Sequence, residues 1–355
     1  MPDDAAMTMK AFHSPLQRHF APPPVRLLNG TGQPHPDAPA RLDAALAAVK
    51  AAGLSLHAPR RFDPFVHWRG VHTRRYVEFL RDGERLWREA GLPGLPQPLV
   101  HPVHRPARRP RHVRGLAGWH MADDMTPFCE GLWLAVRAAA DTAISAALAV
   151  REGEVRTAYA LCRPAGRHAG PETMAGFCYV NNAALAARTL GKRHSRVALL
   201  SIGLHHAHGT QAVFWRTDRV YAISVHVDPR QVHPYYWGYE HEVGQGRGYG
   251  FNLNLPLPRG SEDDVWCGAV EYACGRIRQY RPGALVIALG LGMMRGHCPW
   301  EGDDAARVGL AGMARMARLL LALDLPTVIV QEGGWNPQTL ELGLTTFLAT
   351  WREGR

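Results

Sequence analysis

The sequence predicts an α/β fold: an open, mostly parallel sheet flanked by helices, with a pocket at the C-terminal ends of the strands. Three observations predict it. Four apolar runs end abruptly in glycine and polar side chains: TAYALCRPAGRHAG (157–170), RVALLSIGLHHAHGTQ (196–211), ALVIALGLGMMRGHC (284–298) and TVIVQEGGWN (327–336). Continuous apolar runs of this kind suit strands buried on both faces. Helical stretches alternate with them, the pattern of a parallel sheet with helices on both faces. Each run also delivers His, Arg or Trp from its C-terminal end, where open α/β sheets bind ligands.

In chain order, residues 1–36 read as irregular, with Pro22 to Pro24 and the turn-forming Asn29-Gly30. Residues 37–53 carry apolar side chains at helical spacing and end in Gly53, a C-terminal stop. Residues 72–87 form another helical stretch, and 91–114 an Arg/Pro-rich connector. The clearest helix covers 126–153, with Thr126-Pro127 at its start and Gly153 at its end. Further helices are expected at 182–190 and 263–279. Between strands, glycines 244, 246, 248 and 250 alternate with other residues. They are not a dinucleotide fingerprint, because extended chain at 252–257 follows them instead of a helix.

The bulk properties exclude several functions. The formal charge is +10, yet only Lys10, Lys50 and Lys192 among the 41 basic residues are lysine. The run HPVHRPARRPRHVRG (101–115) reads as a solvated, proline-broken loop, since no nucleic-acid motif with interleaved aromatics accompanies it. A nucleic-acid partner is therefore not expected, and the positive charge argues against a polycationic substrate. No run of 18 apolar residues suggests a membrane span, and MPDDAAMTMK lacks the apolar core of a secretory leader. Six scattered cysteines without a CxxC pair fit a cytoplasmic protein.

Several motifs stand in a specific order: RPAGRHAG (163–170), GFCYVNNAALAA (176–187), LHHAHGTQ (204–211), SVHVDP (224–229), EVGQGRGYGFNLNLPLPRG (242–260) and VIVQEGGWN (328–336), with a weaker match at 36–46. The set resembles the histone deacetylase superfamily, and most closely its acetylpolyamine amidohydrolase branch. The resemblance covers nearly the whole chain and implies one deacetylase-like domain over 1–355. It also implies zinc-assisted amide hydrolysis, in which two Asp and one His hold the metal. There a His pair moves protons, and a Tyr hydroxyl supports the oxyanion.

Carried over residue by residue, that machinery is largely replaced. The His ligand falls on His205, but the two Asp ligands fall on Gly203 and Gly292. The proton-transfer pair falls on Arg167 and His168, the oxyanion Tyr on Trp335, and a buried supporting carboxylate on Ser201. Glycine offers no side-chain donor, guanidinium is no base at neutral pH, and indole has no hydroxyl. Framework residues such as Asn181-Asn182 and Glu332-Gly333-Gly334 are kept.

The expectation is therefore a family protein that has lost zinc-dependent deacetylation, with no metal and no cofactor, binding a small, anionic ligand or a partner. His168 and His205 remain as remnants of catalysis. Arg167, Phe177, Gly203, Tyr235, Tyr236, Gly292, Arg295 and Trp335 are expected to line the pocket. Two alternatives stand beside this reading. One is zinc-independent chemistry run by His168 and His205. The other is a zinc-dependent amide hydrolase with a metal site rebuilt from His205, His206, His208 and His297-Cys298. The resemblance also implies a homodimer.

Overall fold

The computed structural model describes residues 9–26, 32–103, 107–296, 301–302 and 304–354. The strands are β1 (Met9–Phe12), β2 (Val25–Arg26), β3 (Gly32–Gln33), β4 (Leu56–His57), β5 (Thr157–Ala160), β6 (Val197–Ile202), β7 (Val220–Val227), β8 (Asn252–Leu257), β9 (Ala284–Leu289) and β10 (Thr327–Gln331). All but β2 and β3 form one parallel sheet in the order β4-β1-β5-β10-β9-β6-β7-β8. β2 and β3 pair antiparallel on their own.

The period of two along the central strands explains the layers. Val197, Leu199, Val286 and Val328 face one core. That core includes α5 (Leu132–Glu152) and α6 (Asn182–Leu190). Ala198, Leu200, Ile287 and Ile329 face the other. There they meet α1 (Pro39–Ala51), α8 (Asp263–Tyr280), α9 (Leu310–Leu321) and α10 (Pro337–Glu353). The shorter helices are α2 (Pro64–His67), α3 (Arg74–Glu89), α4 (Val113–His120) and α7 (His208–Phe214).

The strand ends lie level, which brings the segments that follow them together. Ile202 is in register with both Leu289 and Val225. The ladder continues past the strands, as Gly290 N–H donates to Ile202 O (2.8 Å) and Glu332 N–H to Leu289 O (2.9 Å).

Three sequence expectations need correction. The supposedly irregular N-terminal region contributes β1 to the sheet and a 3-10 turn at Pro15–His19. The end of the Arg/Pro connector starts α4 at Val113, capped by the His112 ring, which accepts from Arg114 N–H. The long helix begins at Leu132 rather than at Thr126-Pro127, with Gly131 before it at φ 77°. Thr126 instead accepts a hydrogen bond from Phe177 N–H (3.0 Å). By length and composition α5 could cross a membrane, but 83% of its apolar window is buried inside the protein. Arg137 and Asp141 interrupt its apolar run.

Candidate functional site

The floor of the crevice is built on buried Glu332, which follows β10. Its carboxylate accepts from Gly166 N–H (2.9 Å) and Arg167 N–H (3.0 Å), fixing the turn after β5. Burial pushes the Glu332 carboxyl above its usual range, opposed by these bonds and by Arg167 and Arg41. Arg41 donates to Glu332 O (2.8 Å) and pairs with buried Asp37, which also receives Arg163 (2.9 Å). Two guanidiniums on one carboxylate thus tie α1, β5 and the β10 loop together.

Arg167 is buried, and its Nε donates to His168 Nε2 (3.2 Å). A Cβ at Gly203 would overlap Arg167 Nη1, and one at Gly290 would lie 2.8 Å from it. The guanidinium therefore lies in the volume that a side chain at position 203 would need. Gly292 differs, because a Cβ there would meet only Leu204, at 3.4 Å.

Four imidazoles gather beside Arg167. His168 and His208 are stacked with centroids 4.8 Å apart, and their Nδ1 atoms are 3.2 Å apart. His233 stands edge-on to His168, His205 and His208, at 5.4, 5.6 and 5.7 Å between centroids. His205 Nε2 lies 3.1 Å from the Glu301 carboxylate. Burial holds these rings neutral: it lowers His208 to about 4 and His168 and His233 well below their ordinary value. It also lowers His205, against the opposing bond from Glu301. His206 turns away and meets Asn254 Oδ1 (3.1 Å), as alternation along extended chain requires.

Phe177 and Trp335 form an edge-to-face pair (5.3 Å, 83°) on the wall, and the Arg41 guanidinium lies 4.5 Å from the Trp335 ring centre. Tyr235 and Tyr236 are exposed, at 50% and 77%, so they sit on a rim rather than on a wall. Arg295 is not in the crevice at all. It is exposed and lines a separate cleft of about 620 Å³ with Arg259, Arg307 and Asp263, because the chain after Gly292 turns away to pair Met294 with Val308. His297 and Cys298 lie outside the described residues. Sequence reasoning misses His233 and Glu301, which stand in loops where no spacing marks them.

Residues 35–351 match the histone deacetylase domain. The chain belongs to the histone deacetylase family. Within it the chain falls in the acetylpolyamine amidohydrolase-like branch. It is 36% identical to acetylpolyamine amidohydrolase 1 of Pseudomonas aeruginosa, over 91% of this chain and 93% of that one. It is 35% identical to an acetylpolyamine amidohydrolase of Burkholderia pseudomallei, over 88% and 89%. A crystal structure of acetylpolyamine aminohydrolase from Burkholderia pseudomallei superposes with a TM-score of 0.89 at 34% identity, covering 97% and 98% of the two chains. The HDA15 HD domain shares the fold, with a TM-score of 0.79 at 23% identity over 98% of this chain and 89% of that one.

This membership overturns the expectation of a chain without a cofactor, since its relatives belong to a family of zinc-dependent amidohydrolases. Zinc is the ion to expect. At the two positions where the resemblance implies Asp ligands, Gly203 and Gly292 offer no side-chain donor, and Arg167 fills the volume beside Gly203. The donors that this deacetylase-family chain brings together, among the described residues, are the imidazoles of His168, His208 and His233.

Proposed function

We propose that this chain binds a small acyl or carboxylate-bearing molecule in the crevice without the acetyl hydrolysis for which its relatives are named. The position of Arg167 carries this reading. A permanent cation fills the volume beside Gly203, and it cannot take a proton from water. Trp335 offers no hydroxyl to an oxyanion, whereas the Phe177–Trp335 wall retains an apolar surface for an acyl chain. The Arg167 cation beside an apolar wall suits a short carboxylate.

Acetate release from N-acetylputrescine, N-acetylspermidine and an acetyl-lysine peptide, with zinc supplied, tests the reading. The expected rate is that of the protein-free control, while short carboxylates raise the thermal midpoint. Turnover stopped by a hydroxamate would instead establish a zinc-dependent amide hydrolase with rebuilt ligands, the reading that the gathered imidazoles favour. Two further parts of the proposal are a cytoplasmic location and a homodimer, the latter read by light scattering on the eluted protein.

A further inference from the structure

We propose that His168, His208 and His233 form a zinc site displaced from the family's ligand positions. One nitrogen from each ring lies within 4.8 Å of the other two. Zinc–imidazole bonds of about 2.0–2.1 Å give a tetrahedral edge of roughly 3.3 Å. The His168–His208 pair, at 3.2 Å between Nδ1 atoms, already has that spacing. A nitrogen of His233 lies within 4.8 Å of the set and completes it on closing to that spacing.

A second, independent observation points to the same ligand. His233 Nε2 is buried and has no hydrogen-bond partner among the described residues. A buried unpaired nitrogen is costly, and a bound ion would satisfy it. Gly176 closes over the cluster: a Cβ there would lie 3.0 Å from the His168 ring and 3.4 Å from His233 Nε2. The loop carrying His233 is tied down from behind, where the His233 main-chain N–H donates to Glu301 Oε1 (3.4 Å).

The donor type selects the metal. Three imidazoles without a carboxylate suit zinc, cobalt, nickel or copper, and not magnesium or calcium. Arg167 donates to His168 Nε2, so the ring proton sits on Nδ1 and faces His208. A metal on His168 Nδ1 moves that proton to Nε2 and breaks the Arg167 contact. Three neutral ligands leave the ion its full charge beside a guanidinium, so the fourth position takes a small anion. This proposal does not depend on whether the chain hydrolyses anything, since metal content is measured without turnover.

The test uses untagged protein loaded with zinc, desalted and measured by mass spectrometry. Wild type should hold about one zinc per chain, and cobalt loading should give the visible bands of a four-coordinate site. His208→Ala and His233→Ala should lose the metal while keeping the metal-free melting temperature, and His205→Ala should retain it. Zinc-free wild type after loading overturns the proposal. So does metal lost in His205→Ala but kept in His233→Ala, which would place the ion at the family position.

Discussion

Gly203 is the residue on which the crevice turns. Its missing side chain is the volume that the Arg167 guanidinium fills, so the two positions are sterically exchangeable. Gly203→Ala should destabilise the protein by about 1–3 kcal/mol through overpacking, and adding Arg167→Ala should restore most of that loss. Gly292→Ala should change stability by less than about 1 kcal/mol, since its Cβ meets Leu204 at ordinary distance. Denaturant titration of the three variants against wild type measures both. The order of the motifs singles out positions 167, 203 and 292 in the sequence. It does not reveal that Arg167 occupies the space of the residue at 203, because the two are 36 positions apart and meet only through the sheet. His233 is hidden for the same reason, and Arg295 is misplaced because the chain turns after Gly292.

Among the elements, α5 shows what local pattern can and cannot fix. Its Ala- and Leu-rich body and its closing Gly153 are readable, and Gly153 ends the helix at φ 80°. Its start is not, because Thr126-Pro127 has the chemistry of a helix N-terminus but is held by Phe177 N–H in the site wall. The true boundary, Gly131, is set by a backbone neighbour: a Cβ there would lie 2.9 Å from the His19 carbonyl carbon, whereas one at Gly153 meets nothing within 4 Å. Gly153→Ala should therefore cost about 1–2 kcal/mol for its left-handed backbone alone. Gly131→Ala should cost a further ~1–3 kcal/mol for the clash. Chemical denaturation of the two single variants compares them directly.

At the scale of the molecule, buried neutral histidines set the response to acid. Burial lowers His13, His35, His72 and His120 to about 4 from an unfolded value near 6.5. A ring with a depressed folded pKa contributes stability that is fully present above the unfolded value and is lost as pH falls through the window down to the folded one. The thermal midpoint should therefore hold above pH 6.5 and drop steadily between 6.5 and 4. A midpoint that stays level across that window would contradict the neutral assignment. The carboxyls that burial raises, Asp141 (to about 6), Asp123 and Glu332, work in the opposite direction but are fewer than the histidines that burial lowers.

The sheet order carries one more consequence. The strands from β4 through β5 form one half-sheet and those from β9 through β8 another, and β10 alone joins them. Arg167 stands at the end of the first half, while Gly203 and Gly290 stand at the ends of the second. During synthesis both halves leave the ribosome before β10 does, so until residue 331 is available the crevice has no floor. The nascent chain can build each bank early, but the bridge between them is the last strand it makes.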